Sequence, residues 1–465
     1  MLENKMEIES LTLNDFNNIC CGEFYGDNNL LIRNIESIAT EINEIKKSCL
    51  YFCKEKNKEK AIIKIKEAII NGALCCITDK ENLNIYPIIY VNDVEKTIKE
   101  LSEHFRKRID IPIIAVTGSV GKTCTKDMCT SVLSQELKAL KTRYYQNIAV
   151  HYADPLYKLL KNNYNIAVFE AALGASYMMV ENSCILKPDI VIMTCIGESH
   201  LDKNNTQEEI FRAKSQIFDY MSNSGTAYVN GCDKFLRNIT LNEPRKVKWF
   251  GISEEMEFHP ENIINLGLKG TNCDLVYKNE RINVTIPVPG MHFINAALPS
   301  FAIGLEFGLS KESIKNGIEE FKTSVRRSKV YNLESMTIIE DCYNASPTSM
   351  KANIDMLKTL SGRKVFIMGD MVKLGDNSES YHIEVVEYAI KNDIDLIIYA
   401  GMYKEKIEKS LFKEKNKNNV ICMIDKEMLL DKLTNLINKD DIVLIKASNI
   451  YKFEDVTTQL KQIKI

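Results

Sequence analysis

A short glycine-bracketed segment carries residue types that bind phosphate groups. The stretch "IPIIAVTGSVGKTCTKDM", residues 111–128, is an apolar run, a turn ending in Gly121-Lys122-Thr123, and a helix-like segment. Glycines let backbone N–H groups approach phosphates, a helix N-terminus favours negative charge, a lysine adds a point charge, and a threonine hydroxyl can bind Mg²⁺. The predicted triphosphate contacts are Gly118, Ser119, Val120, Gly121, Lys122 and Thr123.

This loop departs from the common phosphate-loop pattern. The usual form G-x-x-x-x-G-K-[ST] has a glycine where this chain has Val116, which leaves a shortened G-x-x-G-K-T. A tight turn with a chance lysine is the alternative interpretation. The apolar strand-like run before the loop and the helix-like segment after it favour phosphate binding.

Length, charge and composition limit the class of protein. The 465 residues, 45% of them hydrophobic and 26% charged, indicate two to four ordinary globular domains. A net charge of −3 gives no reason to expect nucleic acid as a partner. No apolar run reaches the ~18–20 residues of a membrane span, and the acidic start "MLENKMEIES" is unlike a signal peptide. We therefore predict a cytoplasmic protein with no membrane partner.

The pattern of apolar runs and helix-like stretches predicts an α/β protein of three domains. Residues 1–108 mix short apolar runs with helical stretches, one of which should end at Asn71-Gly72, as in a small α/β domain. In residues 109–322, runs such as "NIAVFEAA", "DIVIMTCIG" and "GTAYVNG" predict buried parallel strands, followed by an antiparallel patch at 255–290. Residues 323–465 alternate strands and helices again, as a Rossmann-like domain does.

Polar residues collect at the predicted carboxyl ends of these strands, where open parallel sheets bind ligands. Glu170 closes "NIAVFE", His200 follows "DIVIMTCIG", and Lys214 lies in the helical segment "IFRAKSQIF". Each has an ordinary structural interpretation: a helix cap, a loop histidine and a solvated lysine. Taken singly, each of these residues favours the ordinary interpretation.

The shortened loop resembles the ATP loop of the Mur ligases, and the resemblance covers most of residues 109–455. Downstream, "YVNGCD", "PVPGMHFINAALPSFAIG", "EDCYNASPTSM" and "VFIMGDMVKLGDNSESYH" are similar to family motifs in the same order. The last two are closest to the branch that adds D-alanyl-D-alanine to UDP-N-acetylmuramoyl-tripeptide. The resemblance implies a small N-terminal acceptor-binding domain, a central P-loop ATPase domain with a parallel sheet, and a C-terminal Rossmann-like ligase domain.

The resemblance also implies roles for particular residues. ATP binding falls to the loop residues 118–123 together with His292, Asn295, Arg327, Asp341 and Asn344. Two Mg²⁺ ions are expected, with Thr123 and Glu170 at one and His200 and a carbamylated Lys214 at the other. Catalytic roles fall to Lys122, Lys214, His200 and Arg327, and substrate contacts to Asn147, Tyr343 and Ser346.

The implied reaction is ATP-dependent joining of a small-molecule carboxylate and an amine through an acyl phosphate, by a monomeric enzyme of peptidoglycan synthesis. Parts of the substrate half depart from the family: "NIESIATEIN" lacks an arginine, and "KEKNKEK" and "RYYQNIAVHYADP" replace a glycine-rich and an asparagine-rich segment. Two alternatives therefore stay open. One is a related ligase that joins a different carboxylate and amine, and the other is a non-catalytic nucleotide-binding regulator.

Overall fold

The protein folds around three β-sheets that follow one another along the chain. The structure is a computed structural model that describes residues 10–143, 145–174, 177–199, 201–202, 206–411 and 419–463. Most strands within each sheet are parallel. The fold is thus of the predicted α/β class with three domains. The predicted boundaries at residues 108/109 and 322/323 stay a prediction.

The first sheet belongs to the N-terminal segment. Its strands are β1 (Glu23–Tyr25), β2 (Ser37–Ala39), β3 (Cys49–Phe52), β4 (Ala73–Thr78) and β5 (Ile88–Tyr90). Its helices are α1 (Leu13–Cys20), α2 (Lys58–Ile70) and α3 (Val94–Arg106). The strand order is β1-β5-β4-β3-β2, and only β1 among these pairs runs antiparallel to its neighbour. Asn57 caps α2 by accepting from the Lys60 N–H at 3.0 Å.

The central sheet positions most of the candidate site. Its strands are β6 (Ile113–Thr117), β7 (Ala139–Lys141), β8 (Ile166–Glu170), β9 (Ile190–Met193), β10 (Thr226–Asn230), β11 (Lys246–Phe250), β12 (Phe258–Asn265), β13 (Thr271–Tyr277) and β14 (Glu280–Ile286). They are ordered β14-β13-β12-β11-β10-β9-β6-β8-β7. The predicted antiparallel patch is confirmed, because β12, β13 and β14 pair antiparallel.

Six helices among the described residues accompany the central sheet. They are α4 (Lys122–Leu133), α5 (Ala153–Lys161), α6 (Met178–Leu186), α7 (Gln207–Ser215), α8 (Ile294–Glu306) and α9 (Lys311–Glu319). The central strands β6, β8 and β9 are fully buried, which agrees with the near-continuous apolar runs of their sequence.

The third sheet forms the C-terminal segment. Its strands are β15 (Lys329–Asn332), β16 (Met336–Asp341), β17 (Lys364–Gly369), β18 (Leu396–Ala400), β19 (Val420–Met423) and β20 (Asp441–Lys446), ordered β15-β16-β20-β17-β18-β19. Its helices are α10 (Pro347–Lys358), α11 (Ser378–Lys391), α12 (Lys404–Leu411), α13 (Lys426–Leu436) and α14 (Glu454–Leu460). All its pairs are parallel except β15 with β16.

The N-terminal and central segments share one apolar core, which extends from Leu11 to Ile239. At its centre the rings of Phe16, Phe105 and Tyr157 lie 5.2 to 5.9 Å apart. These rings come from α1, α3 and α5, so the N-terminal sheet is fixed against the central one through aromatic packing. None of the described helices combines the length and the apolar character that crossing a lipid bilayer requires.

Tyr157→Phe is expected to weaken this junction. The Tyr157 hydroxyl donates to the Ile35 carbonyl at 2.7 Å and accepts from the Leu11 N–H at 3.3 Å. In the variant the Ile35 carbonyl still accepts from Lys161 Nζ, but the buried Leu11 N–H loses its partner, which costs about 1–3 kcal/mol of unfolding free energy. Urea denaturation measures the loss, with Tyr220→Phe as the control because Tyr220 is 46% exposed. Equal stability of the two variants would contradict the role given to this hydroxyl.

Candidate active site

The phosphate loop lies between β6 and α4, as its sequence predicts. Gly118 has a φ of +139°, and a Cβ atom there would lie 2.0 Å from the Thr194 hydroxyl oxygen, so only glycine fits. Gly121 caps α4 in the left-handed conformation. The Ser119 N–H donates to the Cys195 carbonyl at 2.8 Å, which ties the loop to the end of β9. The loop is therefore held in place by hydrogen bonds to residues 194–195, which follow β9.

Lys122 folds back over this loop. Its Nζ donates to the carbonyls of Gly118 at 2.9 Å and Ser119 at 3.3 Å. Burial lowers the pKa of Lys122, while the charge of Glu170 acts in the opposite direction. A phosphate anion bound at the loop would restore the preference for the charged ammonium, because opposite charges stabilise one another.

Thr123 and Glu170 form a pair of hard oxygen ligands beside the loop. The Thr123 hydroxyl donates to Glu170 Oε2 at 2.7 Å, and Glu170 is only 2% exposed at the end of β8. Asn147 donates to the other carboxylate oxygen at 3.3 Å. The structure thus places Asn147 beside Glu170, the carboxylate predicted to bind a metal ion. The predicted substrate contact of Asn147 stays a prediction.

Lys214 is buried next to the same loop. Its Nζ donates to the Gly118 carbonyl at 3.0 Å, the same oxygen that Lys122 contacts. Burial and, secondly, repulsion from Lys122 hold the pKa of Lys214 well below the usual range of lysine. This environment therefore disfavours the ammonium relative to that of a solvent-exposed lysine. His200, its predicted partner at a metal, lies outside the described residues.

His292 and Asn295 stand at the start of α8. Burial lowers the pKa of His292 to about 4, so its ring is neutral at neutral pH. The ring lies 4.4 Å from that of Phe293. The side-chain oxygen of Asn295 is buried and has no hydrogen-bond partner among the described residues. An acceptor of this kind suits the amino group of a nucleobase.

The C-terminal segment supplies the opposite wall. Asp341, at the end of β16, accepts from Lys446 Nζ at 2.7 Å and from Asn353 Nδ2 at 2.8 Å. Lys446 also donates to the Asn344 carbonyl at 3.0 Å. Ser346, predicted as a substrate contact, is the N-cap of α10 and accepts from the Ser349 N–H at 3.4 Å. Its substrate role stays a prediction.

Arg327 lies over the ring of Tyr343, with 4.4 Å between the guanidinium carbon and the ring centroid. Arginine stacks well on aromatic faces, and this contact limits where its planar fork can point. The sequence predicts a substrate contact for Tyr343. The structure gives this ring a second use, as the support beneath Arg327.

One cleft of about 320 Å³ joins the two walls. It is lined by the loop residues 119–123 and by Glu170, His292, Asn295, Arg327, Asp341, Asn344 and Ser346, among others. Gly118, Asn147 and Tyr343 lie outside this lining, and each contacts a residue of it. Lys214 contacts Gly118. The structure therefore brings together residues that are more than 200 positions apart in the sequence.

Further contacts join the two walls, and the sequence did not point to them. The Thr348 hydroxyl donates to the carboxylate of Glu198, which follows β9. The Leu201 N–H donates to the Lys373 carbonyl at 2.9 Å. Thr348 lies within the motif "EDCYNASPTSM", residues 340–350, and this was the available signal. Its partner Glu198 is 150 positions away in the chain, so the pairing needed the structure.

Family models and relatives agree with this arrangement. The model of the Mur ligase middle domain matches residues 116–304, and that of the Mur ligase glutamate ligase domain matches residues 326–449. The chain is 28% identical over 433 residues to the UDP-N-acetylmuramoyl-tripeptide–D-alanyl-D-alanine ligase of Bacillus subtilis (strain 168), covering 92% of this chain and 93% of that one. It is 26% identical to the Escherichia coli (strain K12) protein of the same name, with coverages of 97% and 99%.

Solved structures show the same fold. A crystal structure of MurF from Acinetobacter baumannii superposes with a TM-score of 0.86 at 24% identity, covering 98% of this chain and 99% of that one. The MurF ligase of Thermotoga maritima, solved in complex with ADP, gives a TM-score of 0.77 at 22% identity, with coverages of 92% and 97%. The two matched family models cover residues 116–304 and 326–449, and the fold agrees with them. The chain therefore belongs to the Mur ligase family.

Proposed function

We propose that this chain is an ATP-dependent ligase that joins D-alanyl-D-alanine to the terminal carboxylate of UDP-N-acetylmuramoyl-tripeptide, in the cytoplasmic stage of peptidoglycan synthesis. The observation that carries the proposal is the shared cleft. Its central wall holds a phosphate loop beside an oxygen-ligand pair, and its C-terminal wall presents Arg327. The names of the full-length relatives supply the substrates.

The reaction needs an activated carboxylate, because hydroxide is a poor leaving group. A carboxylate oxygen attacks the γ-phosphorus of ATP, which forms an acyl phosphate and releases ADP. The neutral amine of the dipeptide then attacks the acyl carbon and expels phosphate, and one proton is lost from the nitrogen. The net products are an amide, ADP and phosphate. Such phosphoryl transfer depends mostly on positioning and charge neutralisation.

The cleft residues fit the nucleotide. Loop residues 119–123 line the cleft where a phosphate chain would lie, and the buried Asn295 oxygen, unpaired among the described residues, suits the adenine amino group. A neutral His292 packs beside the base without adding charge. Asp341 and Asn344 approach from the other wall, where Lys446 fixes both.

Thr123 and Glu170 also fit Mg²⁺, which takes oxygen ligands and keeps several waters. Their oxygens are already oriented towards one another at 2.7 Å. When bound, Mg²⁺ neutralises charge on the β- and γ-phosphates. A second ion is proposed at His200 and a carbamylated Lys214. Lys214 suits that modification because its buried amine has a single acceptor among the described residues. The amine adds to carbon dioxide and releases one proton, which yields an anionic oxygen ligand.

Glu170→Gln is expected to raise the Mg²⁺ concentration needed for half-maximal turnover on the order of tenfold or more, since an amide oxygen is a weaker ligand than a carboxylate. A Mg²⁺ titration of initial rates measures the shift. Glu181→Gln is the matched control, because Glu181, on α6, pairs with Lys99, on α3, and neither residue lines the cleft. An unchanged Mg²⁺ requirement in Glu170→Gln would remove Glu170 from the metal site.

A phosphate-release assay tests the function directly. We expect turnover only when ATP, UDP-N-acetylmuramoyl-tripeptide and D-alanyl-D-alanine are all present, with the joined product identified by mass spectrometry. Release with another carboxylate and amine, but not with these, would support the related-ligase alternative. Nucleotide binding without turnover on any pair would support the regulator. The pairing of Lys122, Glu170 and Lys214 around one loop favours catalysis, because binding alone does not need a second ligand set.

The divergent acceptor segments meet in the structure. Tyr145 donates to the Glu44 carboxylate, and Arg143 donates to the Tyr145 hydroxyl at 3.0 Å. These residues join the N-terminal sheet to the segment that carries Asn147. We propose that this junction borders the acceptor. A monomeric state and the lack of nucleic-acid and membrane partners stay predictions.

A further inference from the structure

The turn that carries Arg327 has an unusual backbone. We call residues 324–328 the arginine turn. The Arg327 N–H donates to the Ser324 carbonyl at 3.2 Å, which closes the turn. Arg326 has a φ of +61° and Ser328 a φ of +46°, so left-handed residues flank Arg327 on both sides. Side chains other than glycine rarely adopt this conformation, and surrounding contacts must hold it.

One contact holds the turn at its first residue. The Ser324 hydroxyl donates to the carboxylate of Asp127, on α4. Asp127 is 6% exposed, and its other oxygen lies 3.0 Å from Lys141 Nζ and 3.5 Å from Lys126 Nζ. The two lysines thus fix the carboxylate independently of its hydrogen bond with Ser324. Asp127 does not line the cleft.

A second contact holds the turn from the other wall. Arg326 Nη1 donates to Asn449 Oδ1 at 2.8 Å and lies 3.0 Å from Glu454. Arg326 therefore points away from the cleft into the C-terminal segment, while its neighbour Arg327 lines the cleft. Ser324 and Arg326 thus attach the arginine turn to the central and C-terminal segments, respectively, while Arg327 lines the cleft.

Helix α4 connects the Ser324–Asp127 contact to the phosphate loop. The helix begins at Lys122 and Thr123, and Asp127 follows Thr123 by one turn. One rigid element thus carries both the phosphate-binding residues and the attachment point of the arginine turn. The Ser324–Asp127 hydrogen bond thus connects the arginine turn to the helix that begins at the phosphate loop.

We propose that Asp127 is a positioning residue, which acts through Ser324 to place the Arg327 guanidinium at the transferred phosphoryl group. The proposal rests on the proposed function, in that Arg327 is taken to contact the γ-phosphate. Asp127 itself touches neither substrate nor nucleotide.

Ser324→Ala tests this with little risk to folding, since Asp127 keeps both lysines. We expect kcat to fall about ten- to a hundredfold, as for other small misplacements of a catalytic group. Calorimetry in the presence of Mg²⁺ should also show that the variant no longer binds a non-hydrolysable ATP analogue more tightly than it binds ADP. Affinity for ADP should stay within about twofold. Asp127→Asn should act in the same direction.

Two controls separate positioning from stability. Thr323→Ala changes the neighbouring residue, whose side chain makes no hydrogen bond within the described part of the chain, and should leave both readouts unchanged. In an Arg327→Ala background, Ser324→Ala should cost nothing further, because the residue it places is gone. A full additional loss in that background, or an unchanged analogue preference in Ser324→Ala, would overturn the proposal.

The binding readout also keeps this inference distinct from the proposed function. Calorimetry with ADP and the ATP analogue needs neither acceptor nor amine. If the wild-type chain failed to turn over the peptidoglycan substrates while Ser324→Ala still lost its preference for the analogue, the positioning role would stand and the substrate assignment would fall.

Discussion

Arg327→Ala is expected to lower kcat about a thousandfold, the lower end of the range for arginines that stabilise phosphoryl transfer. Arg327 lines the cleft from the C-terminal wall and is supported by its stack on Tyr343 at 4.4 Å. Under the proposed function, Arg327 would therefore reach the phosphates only while the two walls are together. KM for ATP should change much less, because the lost charge matters most in the transition state.

The measurement is steady-state phosphate release at saturating substrates. Arg327→Lys should recover only part of the rate, since an ammonium cannot reproduce the planar fork of a guanidinium. Arg237→Ala, at an exposed arginine, is the control for general effects of losing a positive charge. Wild-type turnover in Arg327→Ala would remove this residue from the mechanism and leave the phosphate loop as the main source of charge neutralisation.

Lys214→Ala is expected to lower kcat about a hundred- to a thousandfold, comparable to the loss of a major electrostatic contact. The side chain is fully buried beside the Gly118 carbonyl, and alanine removes the proposed carbamate. Arg212→Ala is the matched control, because Arg212 is exposed on the same helix. Steady-state activity assays measure the effect, at a temperature where the wild-type protein and both variants remain folded.

Carbon dioxide provides an independent check on Lys214. Wild-type activity should fall in carbon-dioxide-depleted buffer and return when bicarbonate is added, whereas the residual activity of Lys214→Ala should not respond. Mass spectrometry under non-acidic conditions should find Lys214 heavier by one carbon dioxide, because a carbamate is lost in acid. A fully active enzyme whose Lys214 is unmodified would contradict the second metal site.

The local parts of the fold were predictable because their causes are local. Apolar runs such as "IPIIAVTG" and "DIVIMTCIG" became the buried strands β6 and β9, and the helix that ends at Asn71-Gly72 was confirmed as α2. The loop glycines, Lys122 and Thr123 follow from the same reasoning, since a phosphate loop is one continuous segment. Family motifs then extended the prediction to residues on other strands.

Contacts between distant residues were not predictable in the same way. Asp127 and Ser324 are 197 positions apart, and Glu198 and Thr348 are 150 apart. Nothing in either local sequence specifies its partner. Ser346 shows a related limit, because its helix-capping contact is local, yet the motif resemblance drew attention to a substrate role instead.

The sequence by itself supplied a phosphate loop, an acid at the end of β8 and a lysine on α7, and their resemblance to Mur ligase motifs predicts carboxylate activation. Only the tertiary structure decided which of them meet. In the structure, Lys122 and Lys214 donate hydrogen bonds to the same carbonyl oxygen, and Asn147 donates one to Glu170. The arginine turn is hydrogen-bonded to α4 through Ser324 and Asp127. The physical reason is that residue types and local backbone preferences are written along the chain, whereas distances across a cleft depend on how separate sheets pack.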